Sequence, residues 1–380
     1  MDTVHSHGLV IADKARTGCY ERALRATVRP GDVVLDLGTG TGIFAVVACR
    51  LGARRVFAVE SSDAIWVARQ VARANGCEDR ITFIHRLSTQ MDLPEKANVI
   101  VSEIHGALPM YVRSLQSLVD ARRRHLLPGG TMLPRIDTVW VAVVDAAEFY
   151  ERHMGVWRQD TAGVDLRSLR QYSVNRPLYC HMLATQIVGQ PRQWATLEYR
   201  TLDSTRVDGT MEWDVERAAN AHGLLTWFDC EVTDGVSFSN HPSQSSTIFG
   251  QLFLPWLEPV SLQPGDHVKV SISADPASAD YCIRWNTVVW DANQAVKARF
   301  RQSNFLAATI SPEELRKRSS SHRPRLSQTG SIEQFVLEMM DGRHNLVEIA
   351  QLLRDKCPAA FSNQQEALDR VADISNRCSE

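Results

Sequence analysis

The chain has 380 residues, of which 44% are hydrophobic and 23% charged, with a formal net charge of −2. That length accommodates two or three domains with sizeable cores, and the composition is ordinary for a folded globular protein. The near-neutral balance supplies no general attraction to nucleic acid or an anionic membrane, so neither is expected as a partner. The eight cysteines are scattered, with no Cys-x-x-Cys pair and no Cys/His cluster at zinc spacing, so no metal is expected and the thiols read as reduced. With no basic-then-apolar leader and no apolar run of about 18 residues, the expected location is the cytoplasm.

In chain order, a helix is predicted over residues 8–24 and is ended by Arg29-Pro30-Gly31-Asp32. A buried strand over 33–37 leads through a glycine turn to a helix over 43–51. A strand over 56–60, a helix over 64–75, strands over 81–85 and 99–103 and a helix over 115–126 follow. This alternation predicts an α/β domain with a parallel sheet. From Asp137 onward, short apolar segments at 139–144, 224–228, 248–254 and 267–273, separated by turn residues, predict an antiparallel β domain. The basic, serine-rich run from Arg316 to Arg325 predicts a solvated linker, and apolar positions at Ile332, Phe335, Val336 and Met340, then at 346–353, predict a small helical module. The expected organisation is therefore a Rossmann-like domain with an N-terminal helix (1–136), a β-barrel-like domain (137–312), a linker (313–330) and the module (331–380).

The densest signal is Asp36-x-Gly38-x-Gly40-x-Gly42, placed after a buried strand and before a helix, with a second strand ending in Glu60. Glycines there let the backbone approach a nucleotide-like ligand, and the acid at the second strand is placed to accept from ribose hydroxyls. A dinucleotide enzyme would carry Gly-x-Gly-x-x-Gly, whereas here the third glycine comes one position early. That spacing resembles the first motif of S-adenosylmethionine (SAM) methyltransferases, with NAD as the competing cofactor.

Over residues 5 to 300 the chain resembles the protein arginine methyltransferases. Asp13-Lys14-Ala15-Arg16-Thr17-x-x-Tyr20 is similar to the family's N-terminal helix, and the resemblance implies that Arg16 grips the carboxylate of SAM. Residues 33–42, Glu60, Ile81-Thr82-Phe83-Ile84, Leu93-Pro94 and Val99-Ile100-Val101-Ser102-Glu103 follow the family's order. It implies that Asp36, Gly38, Gly40, Gly42 and Glu60 hold the cofactor and that Ser88 and Thr89 lie in its adenine segment, with Thr89 where the family usually has an acid. Ser102-Glu103-x-x-Gly106 resembles the start of the double-glutamate loop, whose two carboxylates clamp a substrate guanidinium. The second falls at Val112, and the family's Thr-His-Trp loop corresponds to Thr247-Ile248-Phe249. A guanidinium has five donors, so the loss of a carboxylate and an imidazole puts arginine specificity in doubt.

Glu103 is the candidate that orients the acceptor, and His105 is a candidate general base, the alternative being a histidine bonded within its loop. His241 is a second cleft candidate whose alternative is a turn histidine before proline; Tyr20 and Met110 read as cleft wall or core. The tail faintly resembles the small peptide-recognition modules of ribosomal peptide modification systems, the alternative being a helical cap. The expected function is SAM-dependent methyl transfer to a nitrogen or oxygen of a peptide, protein or carrier-bound acceptor. A small-molecule methyltransferase and a SAM-binding scaffold without activity are the alternatives. A homodimer is also considered, although the family's dimerisation arm is not identifiable in the sequence.

Overall fold

A strand covered on both faces has to be apolar along its length, and Val33–Leu37 (β1) is buried at every position. It is preceded by Val4–Ala12 (α1) and Lys14–Thr27 (α2) and leads into Ile43–Arg50 (α3). The single helix expected over 8–24 is thus two, because Asp13 caps a new start by accepting from the Arg16 N–H at 3.1 Å. Arg55–Glu60 (β2), Ala64–Ala74 (α4), Ile81–His85 (β3), Ala97–Ser102 (β4), Ser114–His125 (α5) and Leu126–Leu133 (β5) complete the nucleotide-type half. Buried Ile65, Ala68 and Ala72 recur at helical spacing and fix the inner face of α4. All five strands pair in parallel, in the order β3-β2-β1-β4-β5. Order reverses between β1 and β4, and open α/β sheets receive ligands at the carboxyl ends of such a pair. This computed structural model describes residues 4–244, 247–277 and 280–379.

Ile136–Val144 (β6) opens the second half, and the chain then passes through Ala147–Met154 (α6), Asp160–Thr161 (β7), Val164–Asp165 (β8) and Arg170–Ser173 (α7). Leu178–Cys180 (β9), Ile187–Glu198 (β10), Val207–Asp214 (β11), Ala219–Thr233 (β12), Val236–Ser239 (β13), Gln251–Leu262 (β14), His267–Pro276 (β15), Tyr281–Trp290 (β16) and Val296–Ser303 (β17) follow. They form one antiparallel sheet in the order β10-β6-β12-β14-β9, with β13 on β12, and another in the order β11-β15-β16-β17. β16 buries alternate residues, as a strand with one face on the core must. The strand expected over 248–254 begins at Gln251 instead and continues through Pro255 and Pro259. A register shift opposite Ala221 and Gly223 accommodates the residues that cannot donate to the ladder. Leu35 and Val101 of the parallel sheet share one hydrophobic cluster with Val139, Phe228 and Trp285, so the two halves are built on a common core.

The chain divides after Ala308. Beyond it, Pro312–Lys317 (α8) is helical where a linker was expected, because Ser311 and Glu314 form a capping box. Exposed residues 318–326 lead to Gln328–Met339 (α9), Leu346–Lys356 (α10) and Gln364–Cys378 (α11). These three helices bury Ile332, Val336, Ile349, Leu353, Val371 and Ile374 against one another.

Candidate active site

At the end of β1 the backbone turns through the three glycines into α3. Gly38 has φ +74°, and a Cβ there would lie 2.5 Å from Ile104 Cγ2; Gly42 has φ +82°, and its Cβ would lie 3.0 Å from Ala68 on α4. The first glycine lets the turn lie against the segment after β4, and the second lets α3 pack on α4. The Gly40 N–H donates to Glu60 Oε2 at 3.1 Å and the Ser62 N–H to Oε1 at 2.9 Å, so two backbone donors aim this carboxylate. Each of its oxygens keeps a lone pair for a ligand.

These groups open on a cavity of about 530 Å³ at the carboxyl ends of β1 and β4, lined among others by Arg16, Gly38, Gly40, Glu60, Ser88, Glu103 and His105. Three of the expected residues lie outside its lining. Asp36 is buried beneath the turn, where it accepts from the Thr39 hydroxyl at 2.6 Å. Burial, with Glu60 adding, pushes its carboxyl up to about 7 against the hydrogen bonds from Thr39 and Ala45. Asp36 therefore shapes the turn rather than touching the cavity. Gly42 serves the helix contact, and Thr89 is exposed. The neighbouring Ser88 is held through its carbonyl, which accepts from Arg124 at 3.0 Å. His241 is a turn histidine bonded to Ser243 Oγ at 2.7 Å, away from the lining. Tyr20 donates to the Ser102 carbonyl at 3.1 Å from within the core, and Met110 faces a second cavity of about 340 Å³.

Glu103 is the centre of the charged part. Arg16 donates to its Oε2 and to the Val10 carbonyl, and His105 Nδ1 lies 3.4 Å from its Oε1. His105 Nε2 lies 2.8 Å from Oδ2 of Asp137, the second residue of β6, and the Tyr199 hydroxyl donates to the same oxygen. Burial alone would push the imidazole down, but the charges and hydrogen bonds of Asp137 and Glu103 outweigh it and lift His105 to about 9. Both ring nitrogens face carboxylates, an arrangement that favours the alternative of a histidine bonded within its surroundings over a general base. His105, Asp137 and Cys230 offer ligand-type atoms within 4.8 Å of one another. The Cys230 thiol, however, is held protonated, pushed well up by burial first and then by Asp137.

Asp137 and Tyr199 were not singled out in the sequence, since their partners lie 32 and 62 residues away. A signal was present in the acid that precedes the apolar run of β6. The barrel loop also reaches this end of the site: the Ile248 N–H donates to Asp13 Oδ2 at 3.2 Å, and the Phe249 ring lies 5.8 Å from the Arg16 guanidinium.

Two family models divide the chain where its two halves meet. One, described as ribosomal protein L11 methyltransferase, matches residues 16–134; the other, the arginine methyltransferase oligomerization subdomain, matches residues 136–288. Along both halves the chain is similar to the protein arginine methyltransferases and their SAM-dependent relatives. It is 28% identical to a probable protein arginine N-methyltransferase 6 of Arabidopsis thaliana over 283 residues, 72% of this chain and 63% of that protein. With protein arginine N-methyltransferase 1 of Dictyostelium discoideum it shares 26% identity over 71% of this chain and 81% of that one. In fold it is similar to Arabidopsis thaliana protein arginine methyltransferase 10 (TM-score 0.69, 22% identity, 79% of this chain and 97% of that one). It is equally similar to a chain of the Trypanosoma brucei PRMT1 enzyme-prozyme heterotetrameric complex with AdoHcy (TM-score 0.69, 24% identity, 78% and 96%).

Proposed function

We propose that this methyltransferase moves the methyl group of SAM to a nitrogen, or an oxygen, of a peptide, protein or carrier-bound acceptor in the cavity between β1 and β4. The observation that carries the reading is that one cavity brings together Arg16, Gly38, Gly40, Glu60 and Ser88, suited to the cofactor, and Glu103, suited to the acceptor. Glu60 would accept from the ribose hydroxyls, and Arg16, whose terminal nitrogens already donate to Glu103 and Val10, would hold the methionine carboxylate with its remaining N–H donors. Transfer is an in-line displacement. The acceptor's lone pair forms the new bond to the methyl carbon, the C–S electron pair returns to sulfur to leave S-adenosylhomocysteine, and the acceptor's proton leaves toward Glu103. Catalysis is then mainly positioning.

A homodimer and a cytoplasmic location belong to the same reading. Val156, Val164 and Leu169, on the excursion between β6 and β9, expose between 41% and 55% of their surface, and the oligomerization-subdomain match covers that segment. All eight cysteines are free thiols, which suits a reducing compartment. Among the described residues, no helix is long and apolar enough to cross a membrane. The test is to incubate the protein with cell extract and isotopically methyl-labelled SAM and to locate the label by mass spectrometry. Label on a peptide, protein or carrier supports the proposal; tight cofactor binding without label transfer to any acceptor refutes it.

A further inference from the structure

Val112 stands in the left-handed region, with φ 49°, near the end of the loop that begins at Glu103. A β-branched side chain is ill suited to that region, and such a residue persists only where its surroundings hold it there. Neighbouring backbone donors close within the loop: the Gly106 N–H donates to the Leu108 carbonyl at 3.2 Å, the Tyr111 N–H to the Pro109 carbonyl at 3.1 Å and the Ser114 N–H to the Tyr111 carbonyl at 2.9 Å. The Val112 N–H instead crosses to the barrel and donates to Asp280 Oδ1 at 2.9 Å, an oxygen that also accepts from the Tyr281 N–H at 2.8 Å. Asp280 directly precedes β16, so this tie is anchored on the second antiparallel sheet. The loop is also a partition. Tyr111 lines both the cavity that contains Glu103 and the second cavity of about 340 Å³, while Val112 lines the first and Asp280 the second. A Cβ on Gly106 would lie 2.7 Å from Tyr111 Cδ2, so the Tyr111 ring lies against the backbone just beyond Glu103.

We propose that Asp280 is a positioning residue of the methyl-acceptor site: by holding Val112 left-handed it fixes Tyr111 and Val112 as the wall against which the acceptor is oriented toward Glu103. This rests on the cavity being the methyl-transfer site. In-line displacement needs the acceptor atom held at a narrow distance and angle, and a wall that shifts loses that alignment while the cofactor stays bound. Glu60 and Ser88, suited to the cofactor, are held by Gly40, Ser62 and Arg124, all within the parallel half. What Val112 requires of residue 280 is an acceptor rather than a charge. An asparagine oxygen can serve both N–H groups, whereas alanine leaves the Val112 N–H without its partner and the left-handed backbone without its tie. Glycine at position 112 adopts that backbone unaided, so the dependence on Asp280 disappears with it.

The test uses the full chain. With S-adenosylhomocysteine bound, hydrogen exchange over residues 104–114, read by mass spectrometry, is expected to quicken about tenfold in Asp280→Ala and to stay within about threefold of the wild type in Asp280→Asn. Methyl transfer from isotopically labelled SAM to the acceptors of cell extract is then compared across a double-variant cycle. Asp280→Ala is expected to slow transfer about tenfold in the wild-type background and less than about threefold in the Val112→Gly background. Asp280→Asn should transfer within about threefold of the wild type, and both Asp280 variants should bind S-adenosylhomocysteine within about threefold of it. Exchange unmoved in Asp280→Ala, transfer by Asp280→Asn as slow as by the alanine variant, or an equal loss in both backgrounds overturns the proposal. A tenfold loss of S-adenosylhomocysteine affinity in Asp280→Ala overturns it too, because the residue would then act through the cofactor. If Asp280→Ala does not melt cooperatively, Asp280→Val, similar in shape and without an acceptor, takes its place. Wild-type protein that binds S-adenosylhomocysteine yet transfers no label counts against the methyltransferase reading, and the exchange comparison alone then upholds or overturns the tie.

Discussion

Replacing Glu60 by alanine isolates the cofactor interaction most cleanly. The carboxylate is held by the N–H groups of Gly40 and Ser62 at 3.1 and 2.9 Å and is only partly buried, so water can take over both donors when it is removed. The free protein should therefore lose no more than about 1 kcal/mol of stability. Binding is different, because two ribose hydroxyls lose a charged acceptor. At the low end of the range for such bonds, about 1.5 kcal/mol each, the loss is about 3 kcal/mol, or roughly 150-fold in Kd. Glu60→Gln should fall between, since a single amide oxygen serves two backbone donors while its nitrogen turns on an N–H. Calorimetric titration with S-adenosylhomocysteine, which avoids turnover, measures all three. A loss below about tenfold for Glu60→Ala, or NAD bound as tightly as S-adenosylhomocysteine, refutes the placement of the ribose at Glu60.

Gly38→Ala should lower thermal stability and abolish cofactor binding: a left-handed alanine costs about 1–2 kcal/mol, and its Cβ would meet Ile104, the neighbour of Glu103. An unchanged melting temperature would contradict this. His105 holds its proton more tightly in the folded chain, at about 9, than in the unfolded one, at about 6.5. Its stabilisation is then complete below about pH 6.5 and is lost as pH rises through about 9, so denaturant melts should show an alkaline loss of stability that His105→Gln flattens. Removal of residues 327–380 should leave the remaining core folded, with S-adenosylhomocysteine affinity unchanged, because α9 to α11 bury their apolar residues among themselves. A drop in melting temperature or affinity on truncation would show that the core depends on them.

The parallel half was legible because two-sided burial leaves unbroken apolar runs such as 33–37, and glycines are demanded by backbone geometry that few other residues adopt. The break at Asp13 was not, since a capping acid inside a helix-compatible stretch looks like any surface acid until its hydrogen bond to the Arg16 N–H is seen. Pro255 and Pro259 concealed the length of β14, because proline argues against a strand and only the register shift shows how one continues past it. Glu60 and Glu103 were legible as residues lining the cavity because Glu60 ends one strand and Glu103 directly follows another beside the glycine turn. Asp137 was not found, because its meaning depends on His105, and that pairing is made by the packing of two domains rather than by any local pattern.

That pairing ties the histories of the two halves together. His105 belongs to the nucleotide-type half, and Asp137 to the first strand of the barrel. A recombinant that kept residues 1–135 and borrowed another barrel with an apolar residue in place of Asp137 would strand an imidazole beside Glu103 with one anion instead of two. The reverse chimera would bury Asp137 with no cation to meet it. Either exchange is penalised at the active site rather than along the seam. An exchange at position 105 or 137 alone therefore leaves the other side chain without a partner inside the core.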